Sequence, residues 1–306
     1  MNPSFQPVLG AAQAAAGAQH YPVGALYVVA TPIGNLADIT LRALHLLGLV
    51  DAIACEDTRH TASLLQAYGL HKPLLALHQH NEAEAALGVI ARLQRGERIA
   101  YVSDAGTPGV SDPGARLCAA VQAAGLRSVP LPGASSVTTL LSIAGLEAAD
   151  TDAAFEFTGF LPSRGSARAQ ALRRLAQQPQ ACVLLEAPHR IQALARDLAA
   201  LGARRITLGR ELTKQFEQIV TLRCDELASW LAADPAHAKG EFALALHPLP
   251  AVARNETGPD AEALRVLGLL LAELPLKTAA RLAAEITGTP KNALYQAGLA
   301  LKPAAD

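Results

Sequence analysis

Short apolar runs alternate with longer segments of helical periodicity in the first half of the chain. The runs are ALYVVA, AIAC, LLAL, IAYV and SVPL, and helical patterns such as residues 82–94 and 115–124 separate them. Apolar runs of this length predict strands. Strands that alternate with helices predict a parallel α/β sheet with helices on its faces.

A second α/β pattern follows. It predicts strands at residues 155–158, 182–186, 205–209, 218–222 and 241–247, and helices near residues 167–177, 191–201 and 225–231. The consecutive strands around GRELTKQFEQIVTL predict an antiparallel hairpin, so this sheet is expected to be mixed.

The chain ends in a helical pattern that follows the Pro-containing linker HPLPAVARNETGP. Helices are predicted at residues 261–274 and 278–286, and a last helix has Thr289 as N-cap and Pro290 at its first position. Two short helices joined by a Gly-containing turn fit a helix-turn-helix shape, and a helical pair packed on the body of the protein is an equal alternative.

These patterns divide the chain into four parts. We expect a disordered leader at residues 1–23, an N-terminal α/β domain at 24–137, a C-terminal α/β domain at 138–249 and a helical module at 258–304. The leader is interpreted as disordered because its first 22 residues carry no Lys or Arg and no continuous apolar core of the signal-peptide type.

Composition limits the classes of function. The chain has 306 residues and a net charge of −1, so contact with nucleic acid has to come from local clusters of positive charge. Its four cysteines are far apart, which predicts reduced thiols rather than disulfides. No apolar run approaches the roughly 20 residues that span a bilayer, and we expect a cytoplasmic protein without a membrane partner.

The segment YVSDAGTPGVSDPG, residues 101–114, has three glycines and two prolines in a loop that follows a strand. Glycine permits unusual φ angles and proline fixes φ, so the backbone of such a loop can approach a ligand closely. TPIGN (residues 31–35), EDTR (56–59) and LPGASS (131–136) also follow predicted strands. Because ligands bind at the carboxyl ends of strands in parallel sheets, we expect the loops TPIGN, EDTR and SDAGTP to converge at one edge.

The chemistry of these loops excludes several ligands. The sequence has no G-x-G-x-x-G and no G-x-x-x-x-G-K-[ST], so the phosphate-binding loops of NAD and ATP enzymes are missing. It has no cluster with metal-ligand spacing, and we predict no metal. A ligand without phosphates fits better.

Eight blocks occur in one order: TPIGN, EDTRHT, ALHQHNE, SDAGTP, LPGASS, FTGFLP, LLEAPHR and GRELTKQFE. With them, residues 25–247 resemble the tetrapyrrole methylase superfamily, and within it the bacterial enzymes that methylate the 2′-hydroxyl of a cytidine in 16S ribosomal RNA. The resemblance implies two α/β domains with S-adenosylmethionine in the cleft between them. It also implies a homodimer that acts on the decoding region of the 30S subunit.

The resemblance carries donor-binding roles onto three loops and two strands. The residues implied are Pro32, Asp104, Ala105, Gly106, Pro108, Ser135, Ser136, Glu186 and Phe242. Asp104 is expected to receive amino or ribose groups of the donor, and its alternative role is an Asx turn within its own loop. Asp112 is interpreted as a cap for the helix that begins near Ala115.

The acceptor side needs a residue that aligns the hydroxyl and a group that takes its proton. The candidates are Glu56, Asp57, Arg59, His60, His78, Asn81, Glu186 and His189. We favour Asp57 and Arg59, with Glu56 beside them, and leave the base unassigned. An Asp57–Arg59 ion pair that fixes the loop is an equal alternative.

RNA contact is expected where positive charge is concentrated. Arg164, Arg168, Arg173 and Arg174 lie in residues 157–185, a segment without an acidic residue. Phosphate contact is the favoured role, and a solvated helix face is the alternative. The tail repeats the signal more weakly, with Lys277, Arg281, Lys291 and Lys302 against Glu285. An aromatic content of 4% argues against base stacking as the main source of RNA affinity.

Three other functions are left open by the sequence. A precorrin or uroporphyrinogen methylase would use the same fold on a small molecule. Precorrin and uroporphyrinogen methylases typically show Gly-Asp-Pro where this chain has Gly106, Thr107 and Pro108. A diphthine synthase-like activity on a protein side chain is a more distant alternative. A non-catalytic ribosome-assembly factor would bind RNA without consuming the donor.

Overall fold

The computed structural model describes residues 6–78, 82–111, 114–146, 154–249, 259 and 261–301. The chain forms two compact units, residues 1–248 and residues 249–306. The first unit contains two five-stranded sheets. The division between the units falls inside the predicted linker, whereas the boundary expected between the two α/β domains stays a prediction.

The first sheet is parallel throughout, as the alternating pattern predicted. Its strands are β1 (Ala25–Val29), β2 (Ala52–Cys55), β3 (Leu74–Ala76), β4 (Ile99–Val102) and β5 (Arg127–Leu131), in the order β3-β2-β4-β1-β5. The helices that follow its strands are α2 (Leu41–Leu49), α3 (Thr58–Ala67), α4 (Glu82–Gln94), α5 (Ala115–Ala123) and α6 (Ser136–Ile143). Strands β2 and β4 are buried along their whole length, which explains why they contain mainly apolar residues.

Alternate residues of strand β1 face two separate cores. Leu26 belongs to a cluster with Tyr101 and Leu117, while Tyr27 belongs to a cluster with Leu44 on the other face. Side chains that alternate across a strand account for this division. All of these side chains are almost fully buried.

The leader differs from our expectation, because it contains helix α1 (Gln6–Ala16). Ala12 is buried, and Val8 and Leu9 pack against the core on one face of the first sheet. The expectation of disorder is therefore wrong for this helix. A lack of charge misled the interpretation, since alanine favours helix strongly and a small-residue face packs closely.

The second sheet is mixed, as predicted. Its strands are β6 (Phe155–Gly159), β7 (Ala181–Glu186), β8 (Arg205–Arg210), β9 (Gln218–Arg223) and β10 (Phe242–Leu246), in the order β6-β7-β10-β8-β9. Only the β6–β7 pair is parallel among these described strands, and β8 and β9 form the predicted antiparallel hairpin. Helices α7 (Gly165–Gln177), α8 (Ile191–Leu198) and α9 (Leu227–Ala233) accompany this sheet.

The second unit contains α10 (Ala261–Glu273), α11 (Leu276–Thr287) and α12 (Lys291–Leu301) around a small core that includes Leu267 and Leu294. Gly288 ends α11 in the left-handed conformation, with φ of 70°. The predicted start of the last helix is wrong by one residue, since the Pro290 carbonyl accepts from Leu294 N–H and α12 begins at Lys291. Among the described helices, none combines the length and apolarity needed to cross a membrane.

Candidate active site

A cavity of about 300 Å³ lies between loops of the first sheet and strand ends of the second. Six residues to which the family resemblance gives a donor role line it: Ala105, Gly106, Ser135, Ser136, Glu186 and Phe242. Pro32, Asp104 and Pro108 do not line it, and the two prolines are buried. Two of the three predicted loops thus contribute predicted residues to the cavity wall, and TPIGN contributes Ile33 instead.

Backbone hydrogen bonds fix the first loop against the second. Thr31 N–H donates to the Gly106 carbonyl over 2.9 Å, and Gly106 N–H donates to the Thr31 carbonyl over 3.1 Å. Gly106 has φ of 77°, and a Cβ atom there would lie 3.2 Å from Cγ2 of Ile33. The positive φ therefore favours glycine at this position, and a larger side chain would also be crowded by Ile33 at the cavity wall.

The third loop is attached to the second by a side chain. The Thr107 hydroxyl donates to the Ala134 carbonyl over 3.0 Å. Ser135 is the N-cap residue of α6 in an extended conformation, without a hydrogen bond from its side chain to the helix. The half-buried Ser135 and Ser136 thus present polar groups at the wall on a loop whose position is fixed.

Asp104 joins two loops of the first sheet. Its Oδ1 accepts a hydrogen bond from Asp57 N–H over 3.2 Å. This contact links the loop after β4, which lines the cavity, to the loop after β2. We predicted either a donor contact or an Asx turn for Asp104, and the structure adds this third role.

Asp57 and Arg59 form the ion pair that the sequence left open as an alternative. Asp57 caps α3 by accepting from Arg59 N–H over 2.8 Å, and its Oδ2 lies 2.9 Å from an Nη atom of Arg59. The hydrogen bonds from Arg59 lower the pKa of Asp57 from 3.8 to about 2. Neither residue lines the cavity, and the Arg59 side chain is 90% exposed.

Glu186 closes the wall on the side of the second sheet, where it pairs with Phe242 across β7 and β10. Its side chain is fully buried, and Oε1 accepts from Ala187 N–H and lies 3.0 Å from Nε of Arg190. Oε2 is buried without a hydrogen-bond partner among the described residues. Such an unpaired carboxylate oxygen is uncommon, and it can accept a hydrogen bond from a ligand or water in the cavity.

Lys214 is a cavity residue that the sequence interpretation missed. Its Nζ lies 2.9 Å from Oε1 of Glu211 and 3.0 Å from Oε2 of Glu241. Burial alone would lower the pKa of Lys214, but the hydrogen bonds to these carboxylates outweigh it and raise the pKa above 10.5. The signal was present in the block GRELTKQFE, whose charged residues we used only for recognition.

Two of the four predicted RNA-binding arginines are paired with acids outside the segment. Arg168 is buried, its Nη2 lies 2.6 Å from Oδ2 of Asp197, and Nη1 donates to the Pro162 carbonyl. Arg174 pairs with Glu156 over 2.7 Å. The prediction for Arg168 is wrong, because counting charges in a segment of sequence misses acids brought in by the fold.

Arg164 and Arg173 are exposed and form no hydrogen bond or ion pair within the part of the chain that the structure describes. Lys277 on α11 and Lys291 at the start of α12 are also exposed, in the second unit. Asn81, Asp112 and Lys302 lie outside the described residues. Within the described ranges, no group of His, Cys, Asp and Glu side chains is placed to hold a metal ion.

Residues 25–228 match the family of tetrapyrrole (corrin/porphyrin) methylases, and residues 257–302 match the RsmI C-terminal HTH domain. The chain belongs to the tetrapyrrole methylase family. It is 48% identical to ribosomal RNA small subunit methyltransferase I of Pseudomonas aeruginosa, over 90% of this chain and 97% of that protein. The protein of the same name from Haemophilus influenzae is 47% identical over 90% of this chain and 97% of its own length.

Solved structures of other enzymes share the fold at low sequence identity. Cobalt precorrin-4 methyltransferase is 18% identical, with a TM-score of 0.55 over 74% of this chain and 98% of its own. Diphthine synthase is 15% identical, with a TM-score of 0.56 over 73% of this chain and 90% of its own. These likenesses confirm the predicted tetrapyrrole methylase fold.

Proposed function

We propose that this protein transfers a methyl group from S-adenosylmethionine to the 2′-hydroxyl of a cytidine in 16S ribosomal RNA. The observation that carries the proposal is the 48% identity to a ribosomal RNA small subunit methyltransferase I over 90% of the chain. The match to the RsmI C-terminal domain supports it further. The precorrin methylase alternative is weaker, since the cobalt precorrin-4 methyltransferase structure is 18% identical and covers 74% of the chain.

The residues at the cavity fit the donor. A volume of about 300 Å³ is at the lower end of the range for small-molecule sites. The backbone of Gly106 approaches without a Cβ atom, and the unpaired Oε2 of Glu186 suits an amino group of the donor. Ser135 and Ser136 supply hydroxyls for its polar groups.

When bound, the donor supplies an electrophilic methyl group on a sulfonium. The ribose oxygen would displace the sulfur at this methyl carbon, and the hydroxyl proton would pass to a base or to water. The loops of the first sheet hold the reacting groups in line, which supplies much of the rate enhancement in such a displacement. Asp57, Arg59 and Glu56 are proposed to position the acceptor, from a loop that Asp104 connects to the cavity.

RNA binding is proposed to use the unpaired arginines Arg164 and Arg173, together with Lys277 and Lys291 of the helical unit. Phosphate contacts of this kind supply most of the affinity for nucleic acid and depend on salt. We further propose that the substrate is the assembled 30S subunit in the cytoplasm and that the enzyme acts as a homodimer.

A labelled transfer experiment tests the function directly. S-adenosylmethionine with a labelled methyl group is incubated with 30S subunits and with free 16S RNA from cells lacking the enzyme, followed by nucleoside mass spectrometry. We expect 2′-O-methylcytidine, formed faster on assembled subunits. Donor binding without any label in RNA would contradict the proposal and favour a small-molecule substrate, and an absence of donor binding would favour the assembly factor.

A further inference from the structure

The loop that follows β6 leaves the second sheet through an irregularity. The pairing of β6 with β7 shifts register between Phe157 and Gly159, and Gly159 has φ of 67°. Irregularities of this kind re-aim the next side chain and occur often beside active sites. Here the redirected residue is Phe160, within the block FTGFLP, to which the proposed function assigns no role.

The positions that follow Phe160 are held firmly. Leu161 is buried in the core of the second sheet, and its carbonyl accepts a hydrogen bond from Arg190, which is paired with Glu186. The Pro162 carbonyl accepts from Arg168 over 2.9 Å. Two arginine side chains thus fix the loop, so little conformational entropy is lost when Phe160 meets a ligand.

Phe160 itself lines the cavity and is 51% exposed. Phe155 and Phe216 are also exposed, but they do not line the cavity. Phe160 therefore combines three features: an aromatic face, a fixed backbone and a position at which part of the ring borders the donor cavity and part meets solvent. A ligand larger than the donor, entering from solvent, would cover the exposed part.

We propose that Phe160 is the surface on which the base of the acceptor nucleotide stacks. The proposal rests on the proposed function: a nucleotide that leaves the RNA stack can bring its ribose hydroxyl to a donor held in the cavity, and its base is then free to stack on the protein. Bases released in this way commonly stack on aromatic side chains. Arg164, four residues further on, is exposed and has no hydrogen-bond or ion-pair partner among the described residues, so it is available to contact a phosphate. One such residue is compatible with a low aromatic content, because phosphate contacts supply the general affinity.

The test compares Phe160→Ala and Phe160→Leu with Phe160→Trp, and uses Phe155→Ala as a matched control. Phe155 is 46% exposed and lies outside the cavity wall. Transfer to 30S subunits is measured at saturating donor, and donor affinity by calorimetry. Loss of base stacking is expected to lower kcat/KM for the subunit about tenfold to a hundredfold in the Ala and Leu variants. The Trp variant is expected to retain near wild-type kcat/KM, and Phe155→Ala to match wild type.

The Leu variant keeps apolar bulk without an aromatic face, so it separates stacking from packing. Wild-type kcat/KM in Phe160→Ala or Phe160→Leu would overturn the proposal. A parallel loss of donor affinity would also overturn it, because Phe160 would then be part of the donor site. A wild-type enzyme that leaves RNA unlabelled would instead refute the proposed function itself.

Discussion

The two sheets contribute to the cavity in different ways. The parallel sheet supplies mainly small residues, among them Gly106 and Ser135, on loops joined by main-chain and threonine hydrogen bonds. The mixed sheet supplies larger side chains, among them Glu186, Lys214 and Phe160, each on a segment held by ion pairs or arginine hydrogen bonds. The wall from the parallel sheet therefore depends on small residues and turn geometry. The wall from the mixed sheet contains charged side chains that are paired with other residues of the chain.

This difference explains which roles can be assigned to charged residues. On the mixed sheet, Arg168 and Arg190 hold the Phe160 loop, whereas Arg164 and Arg173 stay available for a partner. A charge near the site thus has a structural or a functional role depending on whether the fold supplies its counterion. Substitutions of glycines near the cavity test the first wall. Substitutions of arginines with and without an acidic partner then test the two roles of charge.

The largest effect is expected from Gly106→Val, which alters the backbone wall. Val at φ of 77° is strained, and its Cβ would crowd Ile33 at the cavity. Strain and lost volume together are expected to weaken donor binding about a hundredfold, as measured by calorimetry.

Gly109→Val is the matched control, because Gly109 has φ of 81° but does not line the cavity, and a Cβ atom added there would meet no other atom within 4 Å. Gly109→Val therefore introduces backbone strain without changing the cavity wall. Equal losses of donor affinity in the two variants would show that the loop conformation, rather than the wall at Gly106, controls binding.

The next effect tests a charge that the fold neutralises. Arg168→Ala leaves Asp197 without its cation and the Pro162 carbonyl without its donor, so the free energy of unfolding is expected to fall by about 3 kcal/mol. Denaturation followed by fluorescence reports on this region, because Trp230, the one tryptophan of the sequence, packs against the core of the second sheet.

Arg173→Ala is the control on the same helix, since Arg173 is exposed and unpaired within the described residues. Its change in unfolding free energy is expected to stay within about 0.5 kcal/mol. Similar destabilisation by both substitutions would contradict the distinction between arginines that pair with an acid and arginines that have no partner among the described residues.

Local pattern was sufficient for the parallel sheet and for its loops. Apolar runs located all five strands, and the glycine and proline of SDAGTP indicated a ligand-binding loop, because backbone conformation is encoded in neighbouring residues. Helix α1 was missed, since its burial depends on a core formed by distant residues such as Leu44 and Leu47.

In the mixed sheet, the contacts of charged side chains join residues that are far apart in sequence, and local pattern does not predict them. Asp197, which neutralises Arg168, lies 29 residues away in sequence, and Glu241, which contacts Lys214, lies 27 residues away. Charge balance, burial and the exposure of Phe160 are properties of the assembled fold. Six of the residues with a predicted donor role line the cavity, whereas the contacts of individual charged side chains required the structure.

A smaller effect is expected when the available arginines are removed. The double variant Arg164→Gln and Arg173→Gln is expected to weaken 30S binding several-fold and to reduce the dependence of log affinity on log salt by about 2, one unit for each lost phosphate contact. Arg196→Gln, an exposed position on α8, is the control and is expected to leave the salt dependence unchanged. An unchanged salt dependence in the double variant would place RNA on another surface.

The smallest effect on stability is expected when the exposed Asp57–Arg59 pair, at the start of α3, is broken. The pKa of Asp57 is lowered to about 2, so its stabilisation is present above the unfolded pKa near 3.8 and is lost as pH falls through about 2. In Arg59→Gln, the carboxyl titration followed by NMR should move back toward 3.8, while the melting temperature at neutral pH changes little because exposed pairs contribute weakly. Methyl transfer by this variant then separates the two roles: a strong loss of kcat with unchanged donor affinity makes Arg59 an acceptor residue. Near wild-type transfer reduces the pair to a helix cap that fixes the loop after β2.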